Sequence, residues 1–140
     1  MIPIILIAAA TVLIVGIAVV LVKSVVTPKR ADAVRRLIKQ GKNQAAAKLA
    51  KQLIAKNPKD YPAHYYLGKA YLADNRGELA LMEFKTINEN ALFGPGLPEI
   101  PFRQEFAALQ MKFNNVDEAL KEYLLLTKMD ANNPDKFLEC

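Results

Sequence analysis

Polar and apolar positions divide this chain into two unequal parts. From Met1 to Val22 no side chain is charged, and fourteen of those residues are Ile, Leu or Val. A helix over this run is about 33 Å long at 1.5 Å per residue, enough to cross a hydrocarbon core of about 30 Å. Insertion of the fourteen aliphatic side chains is favourable by on the order of 4–8 kcal/mol, with no ionised group opposing it. Residues 1–22 are therefore expected to be a transmembrane anchor, and residues 23–28 a juxtamembrane linker. A cleaved secretory signal fits less well, because no basic residue precedes the run and its small-residue cluster, Ala8-Ala9-Ala10, lies in mid-span.

Past the linker the pattern changes to an amphipathic one that repeats. Gly41, Asn75 and Asn114 each precede an Ala by five positions: Ala46, Ala80 and Ala119. Four residues beyond each Ala stand Ala50, Phe84 and Tyr123, and three further on Leu53, Ile87 and Leu126. The spacing is 34 residues from the first copy to the second and 39 from the second to the third. Physically this is a helix, a tight turn and a second helix. Gly or Asn at the turn suits a left-handed helix end, the Ala lets paired helices approach, and the later residues share one face. A hairpin of this kind cannot bury its apolar stripe alone, so the copies must stack.

The second copy quotes a known pattern. Leu67-Gly68, Tyr71, Ala80 and Phe84 fall at the spacing of the tetratricopeptide repeat (TPR) family, with His64 in the slot often held by Trp. The third copy has Phe106-Ala107 in the Leu-Gly place, then Ala119 and Tyr123; the first departs most, with Val34 where the small residue would be. The chain thus resembles TPR proteins over residues 29–140, and the layout is similar to membrane-anchored bacterial TPR proteins that recruit factors to the inner membrane. The implied fold is all-α: one N-terminal transmembrane helix, then a TPR-like helical-hairpin solenoid. Its repeats are expected at about 29–58, 61–91 and 101–131, with an inserted loop at 92–100 and the opening of a further repeat at 134–140. The insert holds Gly94, Pro95, Gly96, Pro98 and Pro101, which cannot continue a helix, and its Leu92, Phe93, Leu97 and Ile100 are expected to pack on the repeats.

Charge adds an orientation. Between Val22 and Asp60 the balance is +10, and from Asp60 onward it is −5, giving the chain its net +5. All seven Lys and Arg flanking the anchor lie on its C-terminal side, which by the positive-inside rule places the repeats in the cytoplasm of a single-pass inner-membrane protein. The periplasmic face is the alternative. Lys23, Lys29 and Arg30 are placed to meet anionic headgroups. Nucleic acid is not an expected partner, because no aromatic residue interleaves the basic stretch from Lys23 to Lys59.

Little in the chain suggests catalysis. His64 is the single histidine, Cys140 the single cysteine and Ser24 the single serine, so neither a nucleophilic triad nor a metal-ligand spacing can be assembled. Asp117 and Glu118 suit the first turn of a helix, where acids meet the dipole. No enzyme, cofactor or metal is expected. The resemblance implies instead an interaction scaffold whose first helices line a concave groove, here Arg35, Ile38 and Lys39, then Tyr65, Lys69 and Leu72, then Gln104, Ala108 and Met111. Ala31, Tyr66 and Glu105 depart from the carboxylate-clamp set of chaperone-binding relatives. A protein or peptide segment, amphipathic or acidic, is the expected ligand. The alternative function is a structural subunit of a large envelope assembly, a motor or secretion machinery, in which the repeats stack against neighbours.

Overall fold

The computed structural model describes the backbone of residues 2–132 and the side chains of residues 3–19 and 30–132, and six helices lie among these described residues. They are α1 (Ile2–Lys39), α2 (Asn43–Lys56), α3 (Tyr61–Ala73), α4 (Gly77–Asn90), α5 (Glu99–Lys112) and α6 (Val116–Ala131). The C-terminal part of α1 pairs with α2, α3 with α4, and α5 with α6, giving the stacked hairpins of an all-α, TPR-like solenoid. The further repeat expected at 134–140, and Cys140 with it, lie outside the described residues.

All three hairpin turns close in the same way. Gly41, Asn75 and Asn114 have φ of 75°, 59° and 59°. Behind each the backbone makes a reciprocal pair of bonds: Lys42 N–H to Leu37 O and Gly41 N–H to Ile38 O, Arg76 to Tyr71 and Asn75 to Leu72, Asn115 to Gln110 and Asn114 to Met111. This is the Schellman arrangement, which satisfies the last carbonyls of a helix through one left-handed residue. α3 begins differently, with the Asp60 carboxylate accepting the Ala63 N–H at 3.1 Å and Pro62 in the first turn. Burial pushes the Asp60 carboxyl upward, against the Ala63 bond and the nearby His64 and Arg30 charges.

The expected small residues sit at the closest helix contacts. Ala46, Ala80 and Ala119 are fully buried. In the second hairpin Gly68 lets α3 lie against Phe84, since a Cβ there would stand 2.5 Å from the Phe84 ring. The first hairpin reverses the sizes: Val34, at the Gly68 position, is fully buried opposite the half of the hairpin where Ala50 replaces Phe84. Its departure from the family pattern is thus a compensated exchange of volume, of the kind cores tolerate.

Aromatic side chains join the second hairpin to the third. Phe84 and Phe102 have ring centroids 5.5 Å apart, Phe84 and Phe106 6.4 Å, and Tyr65 stacks on Phe84 at 5.8 Å. Arg103 fastens the same junction: it bonds Glu99 at 2.8 Å, Glu122 at 2.7 Å and Asn88 at 3.1 Å. Its guanidinium also lies 5.3 Å from the Phe93 ring centroid.

Residues 23–28, expected as a juxtamembrane linker, are helical and lie within α1, which runs through Pro28 from Ile2 to Lys39. The expected packing of the insert needs correction. In the α4–α5 connection, Gly94 and Leu97 exchange backbone bonds of 3.1 and 2.9 Å, closing a turn that buries Leu97 and lays Phe93 on Phe102. Leu92 and Ile100 do not pack on the repeats, being 93% and 47% exposed. Among the described residues no helix is long and apolar enough to cross a membrane. The expected span also includes Met1, Ile2 and residues 20–22, whose side chains lie outside the described residues.

Candidate functional site

The first helices of the first two hairpins and the inserted loop enclose a cleft of about 670 Å³. α1 brings Arg35, Ile38 and Lys39 to its wall because these positions repeat at three- and four-residue intervals on one helix face. α3 brings Tyr65, Tyr66 and Lys69. Pro95, Gly96 and Pro98 close the remaining side, with Gly96 beside the Pro62 ring of α3 at a distance that would leave a Cβ in ordinary contact, 3.6 Å away.

Electrostatics in the cleft are uneven. The buried Tyr65 hydroxyl donates to Glu105 Oε1 at 2.7 Å, and Lys69 Nζ donates to the same oxygen at 3.0 Å while standing 5.4 Å from the Tyr65 ring centroid. Burial, reinforced by the bond to the Glu105 carboxylate, holds the Tyr65 phenol far above its ordinary range, so it stays a donor. Burial also raises the Tyr66 phenol, which Arg35 partly opposes. Lys69 is therefore neutralised locally, whereas Arg35 and Lys39 are exposed and make no ion pair among the described residues. Asp32 shares their wall. The cleft thus has an open cationic edge along α1, an aromatic floor on α3 and a proline wall from the loop.

Five of the nine groove residues expected from sequence meet here: Arg35, Ile38, Lys39, Tyr65 and Lys69. Leu72 instead packs partly buried against the core. Gln104, Ala108 and Met111 are exposed on α5 and do not line the cleft. The contribution of α5 is Glu105, one position from Gln104, and sequence reasoning passed over it because it was read only as a mismatch to a carboxylate clamp. The Pro-Gly density of the insert signalled a loop but not its direction.

A second feature is exposed rather than enclosed. Val116, Leu120, Tyr123 and Leu124 form a stripe on α6 and are 45–54% exposed. In the second hairpin two of the corresponding positions are covered by the hairpin that follows. Gly77, at the Val116 position, lies under Phe113, and Phe84, at the Tyr123 position, lies under Phe102 and Phe106. Leu81, at the Leu120 position, is partly buried against the core.

His64 lies outside the cleft. Its Nδ1 is 2.6 Å from Glu83 Oε2 and its Nε2 2.9 Å from the Pro58 carbonyl, so both ring nitrogens face acceptors. The Glu83 bond raises its pKa, and the Pro58 carbonyl adds to this against the opposing effect of burial. The residue ties α3 to α4 and to the preceding turn. Among the described residues no group of three His, Cys, Asp or Glu side chains is placed to hold a metal ion.

Comparison with known proteins agrees with this architecture. Residues 31–86 match a tetratricopeptide repeat family model. Similar solved structures include two of the nearly identical TPR-like repeats assigned to a kinesin light chain of Podosopora anserina, one of them a point variant. The variant is 21% identical with a TM-score of 0.57, and the other is 20% identical with a TM-score of 0.57. Each similarity covers 76% of this chain and 58% of the solved one, so the chain spans little more than half the length of those structures. No curated protein matches the chain. The TPR fold is typically a non-enzymatic module that mediates protein–protein interaction. Residues 31–86 thus carry the tetratricopeptide repeat signature, and the described hairpins share the TPR-like fold.

Proposed function

We propose that this protein is a single-pass membrane scaffold that holds a partner through the cleft between α1, α3 and the inserted loop. The observation behind the anchor is the state of α1. Ten large apolar side chains between Ile4 and Val19 are 49–73% exposed, on all sides of a helix without a charge. At about 1.5–3 kcal/mol for each fully buried side chain, moving them out of water is worth on the order of 10–20 kcal/mol. That equals or exceeds the whole stability of an ordinary domain, about 5–15 kcal/mol. The helix needs an apolar medium, and the basic residues C-terminal to it favour the cytoplasmic face for the repeats.

For the cleft, the chemistry favours a helical or extended peptide carrying an acidic residue. Arg35 and Lys39 would receive the carboxylate, and Ile38, Tyr66 and the loop prolines an apolar flank. Lys69 contributes less, since Glu105 already holds it. The experiment is capture of partners from a membrane extract by the full chain and by its Arg35→Glu/Lys39→Glu variant. Loss of a stoichiometric partner from the variant supports the cleft, and undiminished capture contradicts it.

A second reading follows from the α6 stripe. Its exposure favours a structural subunit in which a neighbour's helix covers Val116, Leu120 and Tyr123. Leu120→Glu would then disperse a large assembly that the cleft variant leaves intact.

A further inference from the structure

The direction of the helices divides the repeat domain into two ends. α1 leaves the proposed anchor and ends at Lys39, α2 returns, α3 leaves again, and so on through α6. The turns at 40–42, 74–76 and 113–115 therefore lie at the far end, while the α2–α3 turn and the α4–α5 loop lie at the end nearest the anchor. The antiparallel α1 and α2 put the α2–α3 turn on the anchor side, near enough to Arg30 for its charge to act on Asp60, and Gly96 packs beside Pro62 in the first turn of α3. The loop is thus held near the same level.

Exposed cations and half-exposed apolar residues occur at both ends. At the far end these are Lys39, Lys42, Arg76 and Lys112 with Met111 and Val116, while the single apolar turn residue, Phe113, packs against the core. At the near end Leu92 is 93% exposed and Ile100 47% exposed; Arg30, Lys56 and Lys59 are exposed at this end, and Lys59 shares a surface depression with Leu92. Glu89 and Asp130 are acids of the last turns at this end. One exposed leucine is ordinary on any protein surface. Its position gives it meaning, because it stands at the anchor end of the domain in a loop where Leu97 is buried and Phe93 packs on Phe102.

Distance permits contact. From Val22 to Arg30 α1 rises about 12 Å, against a headgroup layer of about 5–8 Å, leaving a gap of roughly 5 Å if the helix stands upright. Transmembrane helices tilt by about 20° on average. Since the loop stands one to two helix diameters from α1, about 10–20 Å, such a tilt lowers it by roughly 3–7 Å.

We propose that the start of the α4–α5 loop, at Leu92, together with Arg30, Lys56 and Lys59 makes a second contact with the surface of the bilayer that holds α1. Leu92 enters the headgroup boundary and the three cations meet lipid phosphates. The contact fixes the tilt of the domain and turns the mouth of the cleft sideways to the membrane. It rests on the anchor reading, and the test separates the two.

The full chain carrying Cys140→Ser and Leu92→Cys, labelled with an environment-sensitive fluorophore, is reconstituted into vesicles of phosphatidylcholine and phosphatidylglycerol. A Gln40→Cys label at the far end is the reference. Nitroxide lipids should quench the label at position 92 severalfold more than the label at 40, in protein that floats with the vesicles. Equal quenching at both positions in floating protein overturns the second contact and leaves the anchor standing. Protein that fails to float overturns the anchor and the contact together.

Discussion

Gly68 offers a perturbation whose sign separates packing from helix propensity. In mid-helix, Ala in place of Gly is worth about 0.8–1 kcal/mol of stabilisation from propensity alone. Here the new Cβ would meet Phe84 Cε1 at 2.5 Å and Cδ1 at 2.9 Å. The Phe84 ring cannot swing aside freely, because Tyr65, Phe102 and Phe106 surround it at centroid distances of 5.8, 5.5 and 6.4 Å. Relief requires the ring or the α3–α4 spacing to move by close to 1 Å, at the upper end of the overpacking range of about 1–3 kcal/mol. The net expectation for Gly68→Ala is a loss of about 2 kcal/mol, or a fall in Tm of roughly 8–16 °C for a repeat domain of this size. The assay is thermal unfolding of the full chain in detergent micelles by far-UV circular dichroism, where the anchor helix adds a constant baseline. The first hairpin also suggests the rescue. Gly68→Val combined with Phe84→Ala reproduces the Val34 and Ala50 arrangement and should cost at least about 1 kcal/mol less than the sum of the two single changes. A Gly68→Ala protein more stable than the parent, or strictly additive single changes, would refute the close-approach argument.

Three further outcomes are expected. Because its Glu83 bond raises the folded-state pKa of His64 above 6.5, the stability it contributes is full below pH 6.5 and is lost as pH rises through the folded value. The unfolding midpoint should therefore fall on going from mildly acidic to mildly alkaline buffer, and His64→Gln should flatten that part of the profile; an unchanged slope would remove the imidazolium from the account. Arg103→Met should destabilise the third hairpin by about 3–5 kcal/mol, since it leaves the Glu122 carboxylate buried without its cation. Hydrogen exchange should then rise in α5 and α6 before α3 and α4, and uniform exchange would count against Arg103 as the fastening. Glu105→Gln should free Lys69 and so strengthen capture of an acidic peptide by the cleft, measured as a lower Kd by titration; weaker binding would mean that Glu105 positions the ligand.

How much of this could be read in advance depends on the range of the interaction. The left-handed turns at Gly41, Asn75 and Asn114 and the buried Ala46, Ala80 and Ala119 follow from local requirements that repeat at fixed spacing, so they were legible. Val34 looked like a departure from the pattern only because its partner Ala50, sixteen positions away, was read separately. The cleft was half legible. Arg35, Ile38 and Lys39 are implied by the resemblance to repeats whose first helices line a groove, but Glu105 meets Tyr65 and Lys69 only after a Pro- and Gly-rich insert sets the angle of the third hairpin. The path of that insert is decided by Phe93 and Leu97 reaching the aromatic cluster, while Leu92 is left outside. No local rule distinguishes Leu92 from its neighbours, and burial had been expected of all four apolar residues there.

The central claim is that α1 holds the stacked hairpins at a bilayer. Alkaline carbonate washing of membranes containing the full chain, beside a variant lacking residues 1–22, tests it most directly. The full chain should stay in the membrane pellet while the shortened one is released; release of both would contradict the claim.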